Sequence, residues 1–169
     1  DSGFSAIHGR QLAVAVGPAA GVNDAVAADI LTLLDRKMPI VVDADGMTCF
    51  AMRREEFFAS LHEKAVLTPH RGEFSRIFPE VDLADPVKAV KSASILSGAV
   101  VLLKGAETYI AAPDGRIAVN RHSASWLATA GSGDVLTGLI CGVMAQGVPA
   151  FEAAAIGACL HGDIAINYG

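Results

Sequence analysis

The chain alternates short, almost continuous apolar runs with longer segments of helical periodicity. The apolar runs lie at residues 12–16, 40–43, 65–67 and 99–103. Runs of this length without polar alternation are typical of strands that are buried on both faces of a parallel sheet. Because such a sheet needs helices on both sides, the pattern predicts an α/β domain of three layers.

Capping residues place the first two long helices between these runs. Asn23 is a suitable N-cap for a helix over residues 24–37. Asp85 followed by Pro86 is a typical helix start, and Gly98 is a typical helix end. We therefore expect one helix after the first strand and another directly before the fourth.

The pattern changes after residue 104. Residues 108–112 and 116–119 are strand-like and flank Pro113-Asp114-Gly115, a turn sequence. They predict a β-hairpin, so the mainly parallel sheet should carry an antiparallel hairpin near one edge. The last third is predicted to be helical, over residues 132–146 and 149–166 with a break at Gly147.

Composition limits the classes of function. The 169 residues suit one domain, and 52% hydrophobic residues are enough for a sizeable core. A net charge of −5 without a basic cluster argues against nucleic-acid binding. No apolar run reaches about 18 residues and no signal peptide is evident, so we expect no membrane contact and a cytoplasmic protein. The three cysteines are far apart in sequence and are interpreted as reduced thiols.

The segment AGSGDVLTG, residues 130–138, predicts an anion-binding turn at a helix start. Gly131 and Gly133 have no Cβ, so backbone N–H groups can approach a phosphate closely. Asp134 follows in the first helical turn, where a carboxylate could take a proton from an attacking hydroxyl group. The alternative is an ordinary glycine-rich turn with an acid near a helix N-terminus, and the motif alone does not decide between them.

Other polar residues follow the predicted strands at their carboxyl ends, where open α/β sheets place ligands. Lys104-Gly105 follows the fourth run, and a solvated lysine is the alternative to a nucleotide ligand. Asp43 and Asp45 follow the second run and could hold magnesium through water or orient a substrate hydroxyl, although two acids do not define a metal site.

His70 and Glu73 follow the third run, after the strand-to-helix punctuation Thr68-Pro69. A capping or surface histidine is the alternative to a ligand-binding one, and Glu73 could simply support the first helical turn. The other histidines have no comparable context and are interpreted as structural or solvated: His8, His62, His122 and His161.

Five motifs in this order resemble those of the ADP- or ATP-dependent NAD(P)H-hydrate dehydratases of the ribokinase-like superfamily. They are GPAAG at 17–21, VVDADG at 41–46, LTPHRGE at 67–73, LLKGAET at 102–108 and ATAGSGDVLTG at 128–138. LTPHRGE and ATAGSGDVL are the most specific. The resemblance implies a ribokinase-like fold and repair of hydrated NADH or NADPH, with ADP or ATP as co-substrate and Mg²⁺ on the nucleotide phosphates.

The resemblance also assigns roles to residues. Asp134 would be the catalytic base and contact the substrate. The predicted nucleotide-binding residues are Lys104, Gly105, Ala106, Glu107, Thr108, Gly131, Ser132 and Gly133. The predicted substrate-binding residues are Gly17, Gly21, His70 and Asp134, and no protein metal ligand is assigned.

Some features depart from the family pattern. Ala19 stands where a third glycine is common, which leaves less room for the close approach of a phosphate or sugar. Ala124 and Trp126 lie in a loop where many relatives have a glycine-rich stretch. The chain starts without methionine, and its first strand leads into a turn that lies well inside the family's domain. We therefore expect residues 1–169 to be one N-terminally incomplete domain. This domain should associate with its own missing N-terminal part or with further copies of the chain. A naturally shorter protein is the alternative.

Two other functions stay open at this point. One is a ribokinase-like kinase of a vitamin precursor or sugar, which would leave the phosphate on its product. The other is a nucleotide-binding module without catalysis, which the presence of Asp134 disfavours. ADP or ATP preference, the choice between NADH and NADPH hydrates and the presence of a fused or separate epimerase are not determined by the sequence.

Overall fold

The computed structural model describes residues 12–121, 127 and 129–168, in which six strands form one sheet. The strands are β1 (Val14–Val16), β2 (Ile40–Val42), β3 (Ala65–Leu67), β4 (Val100–Leu103), β5 (Thr108–Ala111) and β6 (Ile117–Asn120). Their order across the sheet is β1-β2-β3-β4-β5-β6. The first four strands are parallel, whereas β5 and β6 are antiparallel. The predicted mixed sheet is therefore confirmed.

Seven helices accompany the sheet in the described residues. They are α1 (Asp24–Asp35), α2 (Ala44–Thr48), α3 (Arg54–Ser60), α4 (Arg71–Ile77), α5 (Pro86–Ser97), α6 (Ser132–Ala145) and α7 (Ala150–Tyr168). The four long helices confirm the prediction. The helices α2 and α3 were not predicted, because five and seven residues are too few to show a helical period.

The predicted helix caps are present. The Asn23 side chain accepts a hydrogen bond from the Val26 N–H at 3.0 Å, and Asp85 accepts one from the Lys88 N–H at 3.1 Å. Gly98 has φ 68°, the left-handed conformation that ends α5. Local side-chain chemistry therefore fixes where α1 and α5 begin and where α5 ends.

The hairpin is closed by the predicted turn. The Ala112 N–H donates to the Arg116 carbonyl and the Gly115 N–H donates to the Ala112 carbonyl, both at 3.0 Å. Tyr109 pairs with Val119 in the ladder between β5 and β6. The hairpin therefore lies at one edge of the sheet, as predicted.

Alternate residues of the buried strands face two different cores. On one face, Val42 and Leu67 pack with residues of α1, α4 and α5. On the other face, Val41 and Val66 pack with residues of α6 and α7. Every residue of β2, β3 and β4 is buried, which explains why their sequences are continuously apolar.

β1 lies at the other edge of the sheet and pairs with β2; among the described residues no second strand pairs with it. Ala15 is exposed, whereas the facing β2 residues are buried. Of the helices in the described ranges, none is long and apolar enough to cross a membrane. Cys49, Cys141 and Cys159 are free thiols, as predicted.

His62 gives the fold a predictable dependence on pH. It is 7% exposed, and its Nε2 atom is buried without a hydrogen-bond partner. Burial is the largest cause that lowers the pKa of His62 below its ordinary 6.5, and Lys37 lowers it further. The unfolded chain therefore binds the proton more tightly, so stability is fully present above about pH 6.5 and is lost as the pH falls.

We expect His62→Asn to reduce this pH dependence. Asparagine does not titrate, yet its side-chain oxygen can replace His62 Nδ1 as acceptor for the Lys64 N–H. The measurement is Tm by circular dichroism from pH 7.5 to 5.5, where each 1 kcal/mol of lost stability corresponds to roughly 2–4 °C. Burial also lowers the pKa of His161, so this residue should keep part of the pH dependence of Tm in the variant. An unchanged slope in the variant would contradict this assignment.

Candidate active site

A cavity of about 870 Å³ lies at the carboxyl ends of the parallel strands. The end of β2, the end of β4, the start of α4 and the first turn of α6 surround it. The predicted site residues that line it are His70, Lys104, Gly105, Ala106, Thr108, Gly131, Ser132, Gly133 and Asp134. Residues more than 60 positions apart in sequence are therefore neighbours at this edge of the sheet.

The first turn of α6 begins at the glycine-rich segment, as predicted, and anion binding by this turn stays a prediction. Gly131 is the N-cap residue with φ 88°, and it caps the helix without a side chain. Asp134 lies in this turn, is exposed, and donates its N–H to the Gly131 carbonyl. A Cβ on Gly133 would lie 3.3 Å from Lys104 Nζ. The absence of a side chain at Gly133 thus lets the lysine approach the helix N-terminus.

Lys104 is held inside the site and is not a solvated surface lysine. Its N–H donates to the Pro69 carbonyl at 2.8 Å, and its side chain is only 20% exposed. The ammonium lies 2.6 Å from Asp43 Oδ1 and 4.0 Å from Glu73 Oε2. A cation in contact with the cavity and with the helix N-terminus favours binding of phosphate groups.

Asp43 and Asp45 have separate structural roles. Asp43 is 1% exposed and accepts hydrogen bonds from Lys104 and from the Thr137 hydroxyl group, at 2.6 and 2.8 Å. Asp45 Oδ2 accepts from the Gly21 N–H at 2.9 Å. Of the two acids only Asp43 lines the cavity, so a joint role on magnesium or on a substrate hydroxyl group stays an untested possibility. The described part of the chain contains no cluster of three or more His, Cys, Asp or Glu side chains that could hold a metal ion.

His70 is both a helix cap and a cavity residue. Its Nδ1 accepts from the Gly72 and Glu73 N–H groups at 3.0 and 3.3 Å, and Glu73 Oε2 accepts from the His70 N–H at 2.8 Å. This reciprocal pair is a capping box, so the supporting role expected for Glu73 is confirmed. The His70 side chain is still 59% exposed and lines the cavity, where it can contact a ligand.

The GPAAG turn packs against the end of β2 and the start of α2. A Cβ on Gly17, which has φ 130°, would lie 1.7 Å from the Asp43 carbonyl oxygen. Gly17 and Gly21 do not belong to the cavity wall. Ala19 adopts φ 53°, a left-handed conformation that glycine takes more readily. The turn thus supports Asp43, and direct substrate contact by Gly17 and Gly21 stays a prediction.

Glu107 is a predicted nucleotide-binding residue that does not line the cavity. Its Oε2 accepts from the Tyr109 hydroxyl group at 2.5 Å, and its Oε1 lies 3.2 Å from Arg121 Nε. These contacts tie Glu107 to the hairpin. His8, His122, Ala124 and Trp126 lie outside the described residues.

Several residues of the cavity wall were not predicted from the sequence. His161 was expected to be structural or solvated, but it lines the cavity; burial lowers its pKa and the Ser132 carbonyl partly opposes this shift. Asn120 and Gly162 also line the cavity. No motif marks these residues, because β6 and α7 come next to the site through folding alone.

Comparison with known proteins agrees with this geometry. The family model for NAD(P)H-hydrate dehydratase matches residues 2–168. The bifunctional NAD(P)H-hydrate repair enzyme Nnr of Mycobacterium tuberculosis is 45% identical over 150 residues, which are 89% of this chain and 32% of that protein. The ADP-dependent (S)-NAD(P)H-hydrate dehydratase of Neisseria meningitidis is 44% identical over 75% of this chain and 44% of its own length.

Solved structures show the same fold. The ADP/ATP-dependent NAD(P)H-hydrate dehydratase of Bacillus subtilis, co-crystallized with ATP/Mg²⁺, is 26% identical and has a TM-score of 0.73, over 93% of this chain and 56% of that chain. A ribokinase-like superfamily protein from Enterococcus faecalis is 27% identical with a TM-score of 0.70, over 90% of this chain and 54% of that chain.

The chain therefore spans about a third of the length of the Mycobacterium tuberculosis relative and somewhat over half of the Bacillus subtilis structure. The fold is ribokinase-like. With the motifs, the cavity and a family model that matches nearly every residue, the chain belongs to the NAD(P)H-hydrate dehydratase family.

Proposed function

We propose that this protein dehydrates hydrated NADH or NADPH at the expense of ADP or ATP and so restores the reduced cofactor. The observation that carries the proposal is the meeting of Asp134, Lys104 and the Gly131 turn around one cavity. These groups supply a base, a cation and backbone N–H donors at one place. Phosphoryl transfer to a hydroxyl group needs this combination.

The proposed reaction has two steps. Asp134 takes the proton of the hydroxyl group on the hydrated ring while that oxygen attacks the terminal phosphorus of the nucleotide. A phosphate ester forms, and ATP leaves as ADP or ADP leaves as AMP. The ester C–O bond then breaks, a proton is lost from the neighbouring ring carbon, and inorganic phosphate leaves as the ring double bond forms. Phosphorylation thus turns a poor leaving group into a good one.

The chain stabilises charge on the transferred phosphoryl group in both steps. The turn at Gly131 to Gly133 lies at the N-terminal end of α6, where the helix dipole favours an anion. Lys104 adds a positive charge 3.3 Å from the position that a Gly133 Cβ would take. His70 forms an isolated β-bridge with Lys104, lines the same cavity and is proposed to contact the hydrated dinucleotide.

Magnesium fits this site as a companion of the nucleotide. Asp43 and Asp45 are engaged with protein groups, whereas Asp134 is exposed at the cavity. Mg²⁺ keeps most of its ligands as water and phosphate oxygen, so the nucleotide can hold it without a protein carboxylate, which leaves Asp134 free to act as the base. When bound, it supplies neutralising charge for the phosphate oxygens.

The fate of the phosphate tests the proposal against the kinase alternative. The protein is incubated with hydrated NADPH, ATP and Mg²⁺, and the products are separated and analysed for phosphorus. Release of inorganic phosphate together with unphosphorylated NADPH supports the dehydratase. A stable phosphorylated product would instead identify a kinase.

The two halves of the cavity should respond differently to substitution. We expect Lys104→Ala to weaken ATP binding about 10-fold or more, because a charge-assisted contact is lost, with little effect on hydrated NADPH. We expect His70→Ala to weaken the dinucleotide more than ATP. Titration calorimetry with each ligand measures both effects. If both variants weakened only one ligand, the proposed division of the site would be wrong.

We also propose a cytoplasmic location and self-association. Ile156, Leu160 and Ile164 are exposed at four-residue spacing on α7, which gives an apolar face that a second copy could cover.

The Mycobacterium tuberculosis relative is a bifunctional repair enzyme. This supports a companion epimerase activity, on the same polypeptide or on a separate one.

A further inference from the structure

A buried hydrogen-bond link joins α6 to the sheet beneath the cavity. Thr137 and Asp43 are each 1% exposed, and the Thr137 hydroxyl group donates to Asp43 Oδ2 at 2.8 Å. Asp43 Oδ1 accepts from Lys104 Nζ at 2.6 Å and from the Ala44 N–H at 2.9 Å. A carboxylate this deeply buried is tolerated only when it is paired and hydrogen-bonded, so these partners hold each other in place.

This link connects the two groups that are proposed to bind phosphate. Thr137 lies one helical turn after Asp134, on the buried side of α6, and Lys104 follows the end of β4. Lys104 Nζ lies close to Gly133, since a Cβ added to this glycine would lie 3.3 Å from that atom. A small shift of α6 against β4 would therefore change the spacing between the ammonium group and the N–H groups of the turn.

We propose that Thr137 and Asp43 are positioning residues for the nucleotide. They hold the Lys104 ammonium group and the Gly131–Gly133 turn at a distance that suits the binding of a polyphosphate. This inference rests on the proposed nucleotide-dependent function. An ammonium group has three N–H donors, so Lys104 can keep its bond to Asp43 while it donates to a phosphate oxygen. Thr137 and Asp43 act through Lys104 and the turn.

The matched variants Thr137→Val and Thr137→Ser test this role. Valine has nearly the same shape as threonine but no hydroxyl group, whereas serine retains the hydroxyl group. We expect Thr137→Val to weaken ATP binding about 10-fold and Thr137→Ser to stay within about 2-fold of the parent protein, as measured by titration calorimetry. Adenosine has no phosphates, so its affinity should change in neither variant. Equal losses for ATP and adenosine in Thr137→Val would overturn the proposal.

A double-mutant cycle with Lys104→Met separates positioning from general stability. In the Lys104→Met background, Thr137→Val should change ATP affinity by less than about 2-fold, because the group that it positions is gone. Full, additive losses would overturn this inference but leave the proposed function intact. Failure of the parent protein to bind ATP at all would overturn both.

Circular dichroism and Tm report whether each variant folds. If Thr137→Val does not fold, Thr137→Ala takes its place in the cycle, since a water molecule can then reach Asp43 Oδ2. The same two outcomes decide the proposal for the alanine variant.

Discussion

Asp134→Asn is expected to lower the turnover of the proposed dehydratase by about 10²–10⁴-fold, the usual loss when a general base is removed. Asparagine has almost the same size, but its amide cannot take up the hydroxyl proton. ATP should stay bound and bind slightly more tightly, because a negative charge beside the phosphates is removed. Steady-state kinetics and calorimetry with ATP measure the two effects separately.

Asp29→Asn is the matched control for this substitution. Asp29 is an exposed aspartate on α1, away from the cavity wall, so the change in net charge is the same. It should leave turnover and ATP affinity unchanged. Near-normal turnover in Asp134→Asn would remove Asp134 from the role of base.

Gly17→Ala is expected to reduce the free energy of unfolding by about 3–5 kcal/mol, through overpacking and backbone strain together. The new Cβ would lie 1.7 Å from the Asp43 carbonyl oxygen and 3.0 Å from the Gly46 nitrogen. Both are backbone atoms at the junction of β2 and α2, so a side-chain rotation cannot relieve the clash. The φ of 130° is also one that residues with a side chain rarely adopt.

Gly98→Ala separates these two causes. Gly98 also has a positive φ, 68°, but no atom lies within 4 Å of its added Cβ. It should lose only about 1–2 kcal/mol, the cost of the left-handed backbone for a residue with a side chain. Urea denaturation of both variants gives the comparison. Losses of equal size would show that the close contact of Gly17 with Asp43 has no energetic consequence.

The main elements of the fold were predictable because their signals are local. The strand residues of β2, β3 and β4 are apolar without interruption, and the structure buries every one of them. Asn23 and Gly98 mark helix ends through their own side-chain or backbone chemistry. The helices α2 and α3 were not predicted, since they are short and depend on packing of Met47 and Phe57 into the core.

The site was predictable only in part, for a similar reason. Lys104 and His70 follow apolar runs directly, so a rule about strand ends finds them. The hydrogen bond between Thr137 and Asp43 joins residues 94 positions apart, and the sequence around neither residue indicates this contact. Asp43 was grouped with Asp45 because the two are close in sequence, yet one faces Lys104 and the other caps the Gly21 turn.

If the proposed function is correct, this site couples nucleotide consumption to loss of water from the hydrated ring. The most direct measurement follows the absorbance of reduced nicotinamide after the protein is mixed with hydrated NADPH, Mg²⁺ and either ATP or ADP, while inorganic phosphate is determined in parallel. One NADPH and one inorganic phosphate are expected for each nucleotide consumed, and with Asp134→Asn both products should form about 10²–10⁴-fold more slowly. Nucleotide consumption without recovery of NADPH absorbance would contradict it.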